Sequence, residues 1–344
     1  MNFCPDDITC SADGVFGLPT TTDEARIVII PTPFDGTTTD GDGTIDGPQA
    51  VRDGSDQIDL YDLQFGRVYD AGIAMAPAPD GLRDCSDQVR SLAAPILHRG
   101  HVRDEDANAI DTINARCANA ESLVFNAVHA WLAKDKIVGV LGGEHSMSQG
   151  AIRAVIAHER RSHADATIGV LQIDAHMDLH PAYASMTYSH ASVMRNALDM
   201  FEGVSRLVQV GIRDVAEREL TYAREQGDRI ATHFDIELWR RMDSGETWRD
   251  ICTGIVDSLP ERVYITFDID GLDPSLCPHT GTPVPGGLSF NQACILLETL
   301  AKSQRRIVGF DLVEAAPGPP GASRIDANVG ARILYKLCGA AAAT

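Results

Sequence analysis

Ile168-Gly-Val-Leu-Gln-Ile173 runs straight into Asp174-Ala-His-Met-Asp-Leu-His180. A short apolar run of β-formers ends in Asp174, His176 and Asp178, and alternate side chains of an extended segment leave on one face. Three ligand-type groups therefore converge on one point. A core has no use for them, because an ionised carboxylate without a partner is heavily penalised in an apolar interior. Asp and His at this spacing suit a divalent cation that accepts oxygen and imidazole.

Two further stretches repeat the pattern. Val263-Tyr-Ile-Thr-Phe-Asp-Ile-Asp-Gly-Leu-Asp-Pro-Ser275 is an apolar run ending in Asp268 and Asp270. Ile137-Val-Gly-Val-Leu-Gly-Gly-Glu-His-Ser146 is a strand-type run broken by Gly142 and Gly143 that delivers Glu144 and His145. Strands that all carry ligand-type residues just past their carboxyl ends suit an open parallel sheet, where sites gather beyond those ends. Arg26–Pro31, Leu207–Ile212 and Arg306–Glu314 read as further strands. Helical spacing fills the stretch from Asp104 to about Lys134, 147–158 and Ser323–Cys338. The alternation predicts a three-layer α/β/α fold around a central, mainly parallel sheet. Residues 25–344 read as a single catalytic domain. Residues 1–24 are polar and aperiodic, and are expected to be a disordered extension or one that packs on a neighbouring subunit.

Gly142-Gly-Glu-His-Ser146, Asp174-Ala-His-Met-Asp178 and Phe267-Asp-Ile-Asp-Gly-Leu-Asp-Pro274 resemble the three signatures of the ureohydrolase family, which holds arginases, agmatinases and other guanidino-compound hydrolases. The motifs stand in the family's order, and the similarity runs from about Ile27 to the end of the chain. The resemblance implies two metal ions ligated by His145, Asp174, His176, Asp178, Asp268 and Asp270. It also implies that Asp178 aims the attacking hydroxide, that His190 in Tyr188-Ser-His-Ala-Ser192 shuttles the proton, and that Glu314 holds the guanidinium. Glu144, one residue before His145, is expected to orient that imidazole, while Asp311 reads as structural. Gly47-Pro48, at a predicted helix start, resembles the family's loop at the active-site mouth.

The chemistry explains the residue types. A guanidinium is a resonance-stabilised cation that water attacks slowly, and two divalent ions roughly 3.5 to 4 Å apart lower the pKa of a water held between them. Two imidazoles and four carboxylates suit Mn2+, and Ni2+ accepts the same donors. The leaving amine needs a proton, and imidazole titrates in the right range to give one.

Arginine is disfavoured as the substrate. His180 stands where arginases resemble Asn, and with Glu314 it is expected to contact the substrate. Met186 replaces a Ser, and Ala216 an Asp that would face the substrate ammonium; a site without those groups forfeits discrimination for an amino acid. Leu276–Leu288 resembles the agmatinase-like side, closest to the branch with guanidine hydrolase and metformin hydrolase. The expected substrate is a small or alkylated guanidine or biguanide, with an agmatinase or guanidino-acid hydrolase as the alternative. Rival readings are a non-catalytic or co-catalytic subunit of a hetero-oligomer, a single-zinc deacetylase, and a simple metal-binding protein. The resemblance implies a homo-oligomer, a trimer or hexamer, with a hetero-oligomer containing a paralogous subunit as the variant.

Composition is consistent with this. The 344 residues carry a formal net charge of -20 and are 44% hydrophobic, enough for a large core. That charge argues against nucleic acid and anionic membranes as partners and is compatible with a small cationic substrate. Eight cysteines stand without a C-x-x-C pair and read as reduced thiols of a cytoplasmic protein. Asp6 and Asp7 sit where a secretory signal would need basic and apolar residues. Asp35, Asp40, Asp42 and Asp46 do not fall at EF-hand offsets, so no calcium loop is expected there.

Overall fold

The computed structural model describes residues 5, 14–39 and 43–344. Cys4, Asp6, Asp7, Cys10, Asp40, Asp42 and half of the expected extension lie outside the described residues. Eight strands form one sheet: β1 (Ile27–Thr32), β2 (Ile73–Met75), β3 (Ile137–Gly142), β4 (Ile168–Ile173), β5 (Val204–Ile212), β6 (Ile230–Phe234), β7 (Arg262–Asp268) and β8 (Arg306–Val313). Their order is β2-β1-β3-β8-β7-β4-β5-β6, and every pairing is parallel.

Parallel strands bury both faces and need helices on both. The side-chain alternation shows this directly. Ile27, Ile29, Leu171 and Ile173 join one apolar cluster, while Val28, Ile30, Ile168 and Val170 join the other. Helices Gly47–Ser55, Trp248–Asp257, Phe290–Ala301 and Ile325–Ala342 cover the first face; Leu82–Arg99, Ala107–Leu132, Ser148–Ser162 and Val193–Met200 cover the second. The result is the three-layer α/β/α architecture that the strand and helix spacing predicts.

Two features differ from the sequence reading. Val15, Phe16 and Leu18 are buried in the chain's own core, and Phe16 meets Tyr335 edge to face at 4.8 Å. Residues 14–18 are therefore part of the domain, held by three large apolar groups within an otherwise polar stretch. β2 is three residues long and β6 reads Ile-Ala-Thr-His-Phe, too short or too mixed to announce a strand. The expected run from Asp104 is one helix, Ala107–Leu132, entered through a 3-10 turn at Asp104–Asp106.

The topology locates the site. After β3 the chain jumps to β4, leaving two positions that β8 and β7 fill later. Reversals of this kind open a crevice beyond the strand ends. His145 follows β3, Asp174 follows β4, Asp268 ends β7 and Glu314 follows β8, so four adjacent central strands deliver one constellation.

Candidate metal centre

Two groups of ligand atoms lie close enough to hold an ion each: His145, Asp174 and Asp268, and Asp174, His176 and Asp270. Asp174 belongs to both. Its Oδ2 is 3.1 Å from His145 Nδ1 and its Oδ1 is 3.7 Å from His176 Nδ1, so one carboxylate offers an oxygen to each group. His145 Nδ1 also faces Asp178 at 2.8 Å and Asp268 at 3.4 Å, and His176 Nδ1 faces Asp270 at 3.0 Å. All six expected ligands converge. Asp178 reaches the first group with φ at 55°, a left-handed conformation rare for a residue with a side chain; Glu314, at 61°, shares it.

The hydrogen bonds show what the cluster is built to hold. Thr266 gives its hydroxyl proton to Asp311 at 2.7 Å and so can only accept from His145 Nε2, 2.8 Å away. That puts a proton on Nε2 and leaves Nδ1 to face the carboxylates, as the nitrogen a cation would take. This buried Nδ1 has no hydrogen-bond partner, although three carboxylates surround it. An imidazole nitrogen and three carboxylates converging on one point are the donor set of a divalent cation.

The electrostatics agree. Burial works against charge on His145 and His176, yet the neighbouring carboxylates override it and hold both imidazoles high, His176 at about 12. Burial and Asp174 push Asp178 up to about 6; burial, Asp270 and Asp174 push Asp268 well up. The cluster has more negative charge than it can carry without bound positive charge.

The remaining expected residues face the same cavity, of about 300 Å³, which His180, Tyr183, His190, Asp214, Glu219 and Glu314 help to line. Glu314 accepts the backbone N–H of His145 at 2.7 Å, and burial followed by Glu144 raises its carboxyl well above the usual range. His190 is held down to about 4 by burial and then by His176 and His145. His180 Nε2 is 3.4 Å from Glu219, whose carboxylate also takes the N–H groups of Leu179 and Ala216.

Glu144 corrects the sequence reading. It does not orient the His145 ring. Its carboxylate takes the Thr37 N–H at 2.7 Å, the Thr37 hydroxyl at 2.6 Å and the Ser146 hydroxyl at 2.6 Å. Thr37 in turn lies 3.4 Å from His190 Nδ1. Glu144 thus stands behind His190, while the orienting role at His145 falls to Thr266 and Asp311, with Tyr264 donating to Asp311 at 2.8 Å. Sequence reasoning missed Tyr183, whose ring lies 5.9 Å from that of His180 and 6.2 Å from that of His190. It stands on a two-residue turn, Ala184-Ser185, with φ at 47° and 65°, and no sequence signal marks a turn of that kind without Gly or Asn.

The Arginase family model matches residues 25–339. The N(1)-aminopropylagmatine ureohydrolase of Synechocystis sp. is 29% identical over 318 residues, covering 92% of this chain and 89% of that protein. The agmatinase of Pyrococcus horikoshii is 30% identical over 320 residues and covers 93% of each. The solved structure of proclavaminate amidino hydrolase from Streptomyces clavuligerus has the same fold, with a TM-score of 0.72 at 24% identity, over 97% of this chain and 99% of that one.

Proposed function

This chain belongs to the arginase family, and from that premise we propose that it hydrolyses a C–N bond of a small or alkylated guanidine or biguanide such as guanidine or metformin, releasing urea or a urea-type product together with ammonia or an amine. One juxtaposition carries the reading: two ligand groups joined by Asp174 face the same cavity as Glu314 and His190. His145, Asp174, Asp178 and Asp268 would hold one cation and Asp174, His176 and Asp270 the other, Mn2+ or Ni2+. When bound, the cations supply an activated water and neutralise the carboxylates.

The protein groups do the rest. Glu314, raised by burial, would release its proton to solvent as a guanidinium enters and grip it as a carboxylate by charge-assisted hydrogen bonds. Thr37 spends its hydroxyl proton on Glu144, so His190 presents Nδ1–H to Thr37 and keeps Nε2 as its basic nitrogen. Burial keeps the His190 ring neutral at neutral pH, and its Nε2 would pass a proton from the attacking water to the leaving amine. Asp178 aims the water.

The cavity walls support a small substrate. Ala216 and Val215 line the cavity where an ammonium reader would stand, and Glu219 is already engaged by His180 and two backbone N–H groups. A second reading, agmatine or a longer cationic tail, is favoured by exposed Asp214 at the mouth, 4.0 Å from His176 Nε2. Urea release should be measured against guanidine, metformin, agmatine, 4-guanidinobutanoate and arginine, with Mn2+ and Ni2+ separately. The proposal predicts the fastest turnover on guanidine or metformin; preference for arginine, or no urea from any, rejects it. His190→Ala should keep both cations and lose ~10²- to 10⁴-fold in kcat.

A homo-oligomer, trimer or hexamer, is part of the proposal, and sedimentation of the purified chain with and without any paralogue tests it. A reduced, cytoplasmic setting is supported by six described cysteines that are buried and unpaired. No helix among the described residues is long and apolar enough to cross a membrane.

A further inference from the structure

A polar line crosses the sheet beneath the site, on the face that also carries Val170, Leu207 and Ile230. Gln172 on β4 pairs in register with Gln209 on β5, and Gln209 with Thr232 on β6. Both glutamines are wholly buried. Packing alone would favour apolar side chains at these places, since a buried amide that loses its partners is strongly destabilising.

The direction of every bond is fixed by the one before it. Asp174 accepts, so Gln172 points its NH2 there, donating to Asp174 Oδ2 at 2.8 Å and to the His176 carbonyl at 3.2 Å. Its oxygen must then face Gln209, whose NH2 donates to it at 2.7 Å and to the Met177 carbonyl at 2.8 Å. The Gln209 oxygen accepts the Thr232 hydroxyl at 2.8 Å. Turning either amide over would set oxygen against oxygen.

We infer that Thr232, Gln209 and Gln172 are a positioning relay that fixes the rotation of Asp174, the carboxylate shared by both cation sites, and so sets the affinity and spacing of the pair. The inference rests on the metal-site reading above. The relay holds Oδ2 toward His145, while the His176 N–H, 2.6 Å from Oδ1, holds the other oxygen toward the second group. Thr232 and Gln209 touch no ligand side chain in this chain of bonds, so their effect travels through Gln172 and through the Met177 carbonyl between His176 and Asp178.

The test compares the full-length wild type with Gln172→Met, Gln209→Met and Thr232→Val. Readouts are the two Mn2+ dissociation constants by equilibrium dialysis, the electron paramagnetic resonance signal of the coupled pair, and melting temperatures with and without Mn2+. Gln172→Met should weaken Mn2+ binding ~10- to 100-fold, Gln209→Met should do so less, and Thr232→Val least; each should alter the pair signal and reduce the rise in melting temperature that Mn2+ confers. Should Gln209→Met fail to fold, Thr232→Val at the far end decides. Variants that bind two Mn2+ with wild-type constants and the wild-type signal, even if they melt earlier, overturn the relay. A wild type that takes up fewer than two ions overturns the site reading itself, and the relay with it.

Discussion

Replacing Gly143 by Ala tests how the loop after β3 sets a ligand. A Cβ built at this position lies 2.0 Å from the carbonyl oxygen of Phe34, and 2.8 Å from its carbonyl carbon and its nitrogen. Carbon and oxygen settle at about 3.3 Å, so one of two backbone segments must yield roughly 1.3 Å. Neither is free. The Phe34 carbonyl accepts the Glu144 N–H at 2.7 Å, and the Gly143 peptide is pinned through Thr32 at 2.9 Å and Glu314 at 2.8 Å. His145 lies two residues on, so the shift passes to its Nδ1 and to Glu314 together. A misplacement of about 1 Å can cost about 100-fold in rate, and the overpacking itself about 1 to 3 kcal/mol in stability. We expect kcat/KM for urea release to fall by about two orders of magnitude, with weakened binding at the His145 group while the His176 group still binds. Metal content by mass spectrometry across a Mn2+ titration, with circular dichroism to confirm folding, checks this. A folded Gly143→Ala that binds both ions as the parent does and turns over at the parent rate refutes the reasoning.

Gly254→Ala is the matching control: nothing lies within 4 Å of a Cβ there, inside the helix Trp248–Asp257. It should raise stability by ~0.5 to 1 kcal/mol in chemical denaturation and leave activity alone. Thr266→Val leaves the His145 Nε2–H without its acceptor and Asp311 short of one donor; a loss of about 1 to 3 kcal/mol and ~10- to 100-fold weaker Mn2+ binding should appear in melts and dialysis. Burial, then Arg241 and Arg206, push His233 down to about 4. Between about pH 6.5 and 4 the unfolded chain binds a proton that the folded chain refuses, so stability falls as pH drops through that window. His233→Gln should flatten that slope in denaturant titrations, and an unchanged slope would show that His233 does not set it.

The candidate ligands were legible because each sits where an apolar strand stops, and alternation announces both the strand and the face. Asp174, His176 and Asp178 needed only local spacing. Glu144 was misread because its partner, Thr37, lies far away in sequence on a turn-rich loop, and adjacency to His145 was the only cue available. Asp311 read as bland for the same reason: its link to His145 runs through Thr266 on the neighbouring strand, and strand order is not written in either segment. Val15, Phe16 and Leu18 were hidden by polar surroundings that carry no period.

The order of the sheet also decides when the chain can finish itself. β8 is made last, yet it lies between β3 and β7 at the middle. Until the ribosome has delivered residues 306–313, the strands already made can pair only as two half-sheets, each with the edge that β8 will cover left unpaired. Assembly must therefore wait for a long-range closure, which makes it slow and aggregation-prone. Only when that seam shuts does Glu314 come to rest beside His145.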